Sequence, residues 1–185
     1  MNQHDLEAEL ERHHTAAFGW ALSCVRWTRD EAEDVLQASY LKVLDGRARF
    51  DGRSTFRTWL FGVIRRTAAE QRRRALAARL LGLRWLQGGE APANPRSAVD
   101  ELVRSESEAH IRGALNRLSE RQRGVLHLVF YEDLSLSEAA TVLRISLGSA
   151  RRHYERAKTR LRSLLSELNS ERNQRSRPSR PVPAS

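Results

Sequence analysis

The stretch LSLSEAATVLRISLGSARRHYERAKTRLRSLL, residues 134–165, decides how the chain is read. Ser135 followed by Glu138 fits an S/T-x-x-E box, in which hydroxyl and carboxylate satisfy backbone N–H groups at a helix start. A short helix therefore opens at Ser135, and its small Ala139 and Ala140 let a second helix cross closely. Leu143 and Ile145 flank a tight turn. Ser146 then caps a longer helix that begins Leu147-Gly148-Ser149-Ala150. The outward face of that helix carries Arg151, Arg152, Tyr154 and Glu155, then Arg156, Lys158, Arg160 and Arg162. Between 144 and 162 seven basic side chains face one acidic one. A helix-turn-helix of this kind offers the first turns of its second helix to a major groove, while nearby arginines meet phosphates. An ordinary αα-hairpin with a solvated charged face shares the spacing; the charge asymmetry favours the DNA face. Arg151 and Arg152 stand where they can reach base edges, Ser149 lies beside them, and Arg156 follows one turn on. Arg144, in the turn, suits the phosphate backbone. His153 reads as a packing or phosphate contact rather than a titrating switch.

Working outward, three more boxes mark helix starts: Thr28 with Glu31, Ser105 with Glu108, and Ser119 with Gln122. Helices are predicted over 5–27, 29–44, 54–74, 106–117, 120–131, 136–143 and 147–168. β-like runs joined by hairpin turns are not found. Asp45-Gly46 and Asp51-Gly52 read as helix ends or turns. The first three helices are expected to share one core (Phe18, Leu22, Val25, Val35, Leu36, Val43, Phe56, Leu60, Val63, Ile64). A second core takes Leu115, Leu118, Val125, Leu126, Val129, Leu134, Ala140, Leu143, Ile145, Ala150 and Ala157. The expected fold is all-α: two small helical domains, 5–75 and 106–169, the second containing the helix-turn-helix. A flexible linker, 76–105, rich in Gly, Pro and Ala, joins them. Residues 170–185, with three of the five prolines, read as a disordered basic tail.

Composition narrows the function. Lys and Arg number 32 against 23 Asp and Glu, a net charge of +9, so a polyanion or acidic surface is the expected partner. The one cysteine, Cys24, excludes an internal disulfide and a Cys-rich zinc site, and its apolar setting reads as packing. The acidic start MNQHDLEAELE is not a signal peptide, and no apolar run reaches membrane-spanning length. A cytoplasmic protein with no direct membrane insertion is expected. No G-x-x-x-x-G-K-[ST] loop, nucleophilic triad or paired-carboxylate site stands out. The adjacent His13 and His14 fall on different helix faces and make a poor metal pair. Neither an enzyme nor a cofactor or metal site is expected.

The N-terminal half has two contrasting faces. Asp30, Glu31, Glu33 and Asp34 crowd the start of helix 29–44, where the helix dipole favours them. Asp34, Gln37, Ala38 and Leu41 lie on adjacent turns, as either a capped surface or a protein-docking stripe. Basic and aromatic residues interleave farther on: Arg47, Arg49, Phe50, Arg53, Phe56, Arg57 and Trp59, then Arg65, Arg66, Arg72, Arg73 and Arg74. That mixture suits single-stranded or melting DNA, whose bases stack on rings and whose phosphates meet guanidinium groups. Trp59 also has core spacing from Phe56 and Val63, and both roles stay open.

Together the halves resemble a bacterial sigma factor of the sigma-70 family, group IV or extracytoplasmic-function (ECF) type. DEAEDVLQASYLKVL with FRTWLFGVIRRTAAEQRRR resembles region 2. ALNRLSERQRGVLHLVFYEDLSLSEAATVLRISLGSARRHYERAKTRLRSLL resembles region 4. The resemblance covers roughly 12–75 and 108–166. It implies that 30–41 docks on the β′ clamp helices of core RNA polymerase, with Asp34 and Gln37 at the family's AEDxxQ positions and Leu41 beside them. It implies that the 45–57 loop and the helix through Arg72 recognise and melt the −10 element. Arg47, Arg49, Arg53, Trp59, Arg65, Arg66 and Arg72 are its candidates. Region 4 would read the −35 element through Arg144, Ser149, Arg151, Arg152 and Arg156 and touch the polymerase β flap. An anti-sigma protein is a further implied partner. Departures bear on promoter choice: VIRR replaces IARN, with Arg66 in the Asn position, and Glu70 stands where Asp is usual. GSARRH replaces GTVKSR, and Ala139 replaces Ile. The function implied is promoter-specific recruitment of polymerase with strand opening. A stand-alone helix-turn-helix regulator and a sigma mimic that sequesters an anti-sigma protein are the alternatives.

Overall fold

The computed structural model describes residues 3–80 and 106–175, and the regular elements there are all α-helices. The helix expected over 5–27 is two, α1 (Gln3–Arg12) and α2 (His14–Cys24). They divide at His13, whose ring stacks on Phe56 with centroids 6.1 Å apart. After α2 two non-glycine residues, Arg26 and Trp27, take left-handed backbone conformations (φ 58° and 72°). The Trp27 N–H donates to the Leu22 carbonyl at 2.8 Å, closing the helix end as the chain turns. Next come α3 (Arg29–Leu44) and α4 (Phe56–Leu80). The second half contributes α5 (Glu106–Asn116), α6 (Glu120–Phe130), α7 (Leu136–Leu143) and α8 (Leu147–Arg175).

Two predicted capping boxes form in full. Ser119 and Ser135 each accept from the N–H three residues on, and Gln122 and Glu138 reach back to the cap N–H. Thr28 has the extended backbone of a cap but makes no side-chain bond. Ser105 lies outside the described residues. Two predicted boundaries move. α4 continues to Leu80, so 76–80 are helix rather than linker. α8 continues to Arg175, so 170–175 are helix rather than tail. The remainder of both segments lies outside the described residues.

The two-core partition is redrawn more deeply. Leu10, Trp20, Val35, Leu60, Phe61 and Ile64 from the first half share one continuous buried cluster with Val125, Leu128, Leu134, Val142, Leu143 and Ala150 from the second. Only Ala114, Leu115, Leu118, Leu126, Ala157 and Leu164 form a separate cluster, and Trp27 of the first half packs on it. Small units bury little of their own surface, so each here completes its core on the other. α4 lies against α7, and α2 against α6. Gly124 of α6 permits the approach: a Cβ there would stand 3.0 Å from Leu143 Cδ2 and 3.5 Å from Trp20 Cη2.

Glu138 supplies a pH signature. Hydrogen bonds from the Ser135 hydroxyl and N–H (2.7 and 2.9 Å) hold its carboxyl below the usual range. A depressed carboxyl contributes stability above the unfolded value, about 4.3, and loses it as pH falls through the folded value. Ser135→Ala is therefore expected to cost about 1 kcal/mol at pH 7. In urea titrations its deficit against the parent should shrink as pH falls below the ordinary carboxylate range and the parent's own carboxyl becomes protonated.

Candidate nucleic-acid interface

The helix-turn-helix is built as its residues require. Arg144 ends α7 in the left-handed region (φ 50°, ψ 50°), a place where glycine is common. The Ile145 N–H donates to the Ala140 carbonyl at 3.1 Å and closes the turn. Ser146 then caps α8: the Ser149 N–H donates to its Oγ at 3.1 Å, and the Ser146 hydroxyl lies 3.0 Å from Ser149 Oγ. Arg152 Nη2 donates to that same Ser149 Oγ at 3.2 Å. Ala150, Ala157 and Leu164 recur every seven residues on the buried stripe of α8, which turns Arg151, Arg152 and Arg156 outward. Arg144 is exposed at the same end, and Ser149 is half-buried. The five residues expected to read DNA in this half therefore gather around the start of one helix. His153 beside them is biased toward its neutral form by burial first and then by Arg121, Arg156 and Arg152.

The residues expected to act on the −10 element do not form one face. Arg47, Arg49 and Arg53 are exposed on the loop between α3 and α4. Arg47 is bound to Asp45 (Nε–Oδ2 2.7 Å), and Arg49 Nε donates to the Gly46 carbonyl at 3.3 Å. Trp59 is half-buried among Phe50 and Phe56, with ring centroids 5.4 and 5.2 Å away, so it packs while one edge stays near the loop. Arg65, Arg66 and Arg72 turn instead toward the second half. Arg72 pairs with Glu120 at 3.0 Å, and Arg65 lines a cleft with Glu120 and Arg123. Arg66 is half-buried, its ionisation disfavoured by burial and then by Arg144 and Arg65.

Two groups passed over as site residues hold the halves together. Arg57, the second residue of α4, forms an ion pair with Glu132, which is 5% exposed. The same carboxylate lies 3.3 Å from His127 Nε2, and the Arg57 guanidinium rests over the Phe61 ring. Arg123 is 2% exposed, and its Nε donates 3.1 Å to the Ser23 carbonyl. Local sequence offers no signal for these pairs, because each joins residues 75 or more positions apart. Arg57, Phe61, Arg65, Ala68 and Arg72 do recur at three- and four-residue steps on α4, a stripe that periodicity could have flagged.

On α3, Asp34, Gln37 and Leu41 are all exposed, Leu41 by 60%. Leu44 is a further exposed apolar residue at the end of that helix. Behind them Lys42 of α3 bonds Glu70 of α4 at 2.7 Å, which holds the Glu70 carboxyl below its usual range. The stripe is thus an exposed face of α3 with an uncovered leucine.

Residues 10–77 match the family description "Sigma-70 region 2", and residues 114–163 match "Sigma-70, region 4". The ECF RNA polymerase sigma factor SigX of Bacillus subtilis is 30% identical over 147 residues, covering 77% of this chain and 75% of SigX. The chain belongs to the ECF sigma factors. The sigma factor CarQ of Myxococcus xanthus is 31% identical, with 76% of this chain and 78% of CarQ covered. Among solved structures, the sigma factor RpoE of Bartonella quintana, in complex with the anti-sigma factor NepR, aligns with a TM-score of 0.68 at 26% identity. That alignment covers 88% of this chain and 97% of RpoE. CnrH, solved with the cytosolic domain of CnrY, shares the fold with a TM-score of 0.62 at 23% identity. This sigma factor directs RNA polymerase to specific promoters, with α2–α4 in its region 2 match and α6, α7 and the first half of α8 in its region 4 match. No helix among the described residues is long and apolar enough to cross a membrane.

Arg57→Ala strands a buried carboxylate and is expected to lower stability by roughly 3 kcal/mol. Adding Glu132→Gln should recover most of that loss, as a double-mutant cycle in urea would measure.

Proposed function

We propose that this sigma factor rests closed, with region 4 carboxylates covering region 2 arginines, until core polymerase engages it. The observation that carries the reading is the pairing of Arg57 with Glu132 and Arg72 with Glu120, region 2 arginines bound to region 4 acids. Arg57 lies beside the loop assigned to the −10 element, and Arg72 is one of the assigned contacts. In the closed chain both face protein instead of phosphate.

Geometry supports opening as a required step. Elements centred near −10 and −35 are about 25 base pairs apart, roughly 85 Å of B-DNA at 3.4 Å per pair. A compact chain of this length has a radius of gyration of roughly 16 Å, too small to present both readers at that separation. The segment between α4 and α5, residues 81–105, contains 25 residues. At about 3.3–3.6 Å each, such a length can span roughly 80–90 Å. Separation of the units therefore matches the promoter without lengthening the chain.

In this reading Asp34, Gln37 and Leu41 dock on the polymerase clamp. Arg47, Arg49, Arg53 and Trp59 act on the −10 element at once, and Arg65, Arg66 and Arg72 join them after opening. Arg144, Ser149, Arg151, Arg152 and Arg156 hold the −35 element. The mechanism is binding rather than bond chemistry, and the setting is the cytoplasm. An anti-sigma protein is a further expected partner, by analogy with the RpoE–NepR complex.

Run-off transcription with purified core polymerase on genomic fragments should give new start sites only when the chain is added. Core binding without any start site would instead favour the sequestering mimic. Asp34→Arg with Gln37→Ala should abolish capture of core; unchanged capture would remove the docking stripe. Each of Arg151→Ala and Arg152→Ala should change preference at individual −35 bases by about 5- to 150-fold, the span of 1–3 kcal/mol. Equal loss on every sequence would make them phosphate contacts. Neutralising Arg47, Arg49 and Arg53 should leave −35 binding intact while reducing permanganate reactivity of the −10 region. Glu120→Ala should strengthen binding of single-stranded −10 DNA several-fold; no change would argue against masking of Arg72.

A further inference from the structure

Arginines in this chain are held in two ways. Arg72 and Arg47 are bound by carboxylates, Glu120 at 3.0 Å and Asp45 at 2.7 Å, which offset the charge as well as restrain it. At the start of α8 the partner is a neutral hydroxyl. Arg152 Nη2 donates to Ser149 Oγ at 3.2 Å, and that oxygen lies 3.0 Å from the Ser146 hydroxyl. Ser146 is fixed in turn by the Ser149 N–H, which donates to its Oγ at 3.1 Å. Whichever hydroxyl donates to the other, the backbone, two serines and one guanidinium form a connected unit. Glu155, three residues beyond Arg152, is engaged by Lys158 at 3.1 Å. Among the described residues no carboxylate pairs with Arg152, and the side chains of Arg144, Arg151 and Arg156 make no hydrogen bond or ion pair.

Position gives the unit its direction. Ser149 is the third residue of α8 and Arg152 the sixth. Residues three apart share a helix face, and long side chains lean toward the helix N-terminus. The bond to Ser149 therefore keeps the Arg152 head over the first turns of α8, the end that a helix-turn-helix offers to a major groove. Ser149 is half-buried and Arg152 exposed, so a fixed base carries an outward head. One N–H of the guanidinium is used, and the rest of its planar fork is free for a base edge. Guanine presents two acceptors, O6 and N7, to such a fork, whereas adenine puts a donor in place of one of them. A free arginine loses many rotamers when it reads a base; one already held loses fewer.

We propose that Ser149 is a positioning residue for −35 readout: its hydroxyl, held against Ser146, presents the Arg152 fork to a guanine in the major groove. The inference rests on the −35 role proposed for region 4 and adds which arginine is preset and by what. A hydroxyl suits this task better than a carboxylate. It limits the rotamers of the guanidinium and leaves intact the charge that draws it to DNA. Ser149 acts through Arg152 and needs no DNA contact of its own.

The full chain, reconstituted with core polymerase, is selected against duplexes randomised over the −35 element. Arg152→Ala should remove a guanine preference at one base pair. Ser149→Ala should lower the preference at that same pair several-fold, leave the other pairs as they were, and add nothing in the Arg152→Ala background. Ser149→Thr, which keeps the hydroxyl, should retain the preference. Ser149→Ala also keeps the backbone N–H that bonds Ser146, so the cap of α8 survives. The slope of log affinity against log salt should be the same in Ser149→Ala as in the parent; loss of one phosphate contact would reduce it by about 0.9. Equal weakening on every sequence with that smaller slope would make Ser149 a phosphate contact and overturn the proposal. A base profile unchanged in Ser149→Ala would overturn it too, as would a further change at that pair in the Arg152→Ala background. If Arg152→Ala itself alters no preference, the −35 role of Arg152 fails and the proposal with it. A profile that changes in Arg152→Ala and not in Ser149→Ala sinks the positioning role alone.

Discussion

Trp20 is the side chain on which the closed structure turns. Its indole N–H donates 3.0 Å to the Phe61 carbonyl of α4, so α2 is tied to the backbone of the long helix. Its ring also stands 5.4 Å from His127 of α6 and over the position where a Gly124 side chain would be. One residue thus belongs to the core of region 2 and to the contact with region 4. Complete burial of a side chain this large removes roughly 150–250 Å² from water, an upper estimate of about 4–6 kcal/mol. Separating the units would re-expose only the part of it that faces α6. The interface can be tight and still be opened by a partner that supplies comparable contacts.

Polar groups around this apolar centre give the interface its specificity. Glu132 is enclosed and depends on Arg57, while the Arg72–Glu120 pair is open to water on both sides. Exposed pairs contribute little to stability and are weakened by salt. Buried ones contribute mainly by penalising any arrangement that leaves a charge alone. Arg57 and Glu132 therefore define the docked geometry, and Arg72 and Glu120 cover an arginine without adding much hold. This division suits the proposed opening, in which promoter DNA takes over Arg72 from Glu120.

Left-handed residues are used where the chain changes direction. Arg26, Trp27, Asp133 and Arg144 all take positive φ without being glycine. Each costs of order 1–3 kcal/mol unless its surroundings enforce it. Trp27 offsets the cost by packing on the smaller cluster of region 4. Arg144 places a guanidinium at the helix-turn-helix corner, where glycine would relieve strain and supply no charge.

Local chemistry makes much of this protein legible in its residues alone. The Ser119 and Ser135 boxes, the Ser146 cap, the small Ala139 and Ala140, and the outward arginines of α8 all depend on neighbours within one or two helical turns. So does the stripe of Asp34, Gln37 and Leu41. Periodicity also found Leu60 and Ile64, but it passed over Trp20 and Phe61, whose burial depends on helices distant in sequence. Which arginines of α4 face solvent was not legible, because a helical repeat specifies a stripe and not what covers it. Nor could sequence show that two short cores merge, or that Glu132 and Glu120 meet Arg57 and Arg72. Those contacts join residues 75 and 48 positions apart. The helix starts at Ser119, Ser135 and Ser146 and the outward arginines of α8 are properties of short segments, and the sequence alone determined them. The closed arrangement and its charge pairing come from packing between segments, and only the tertiary structure decided them.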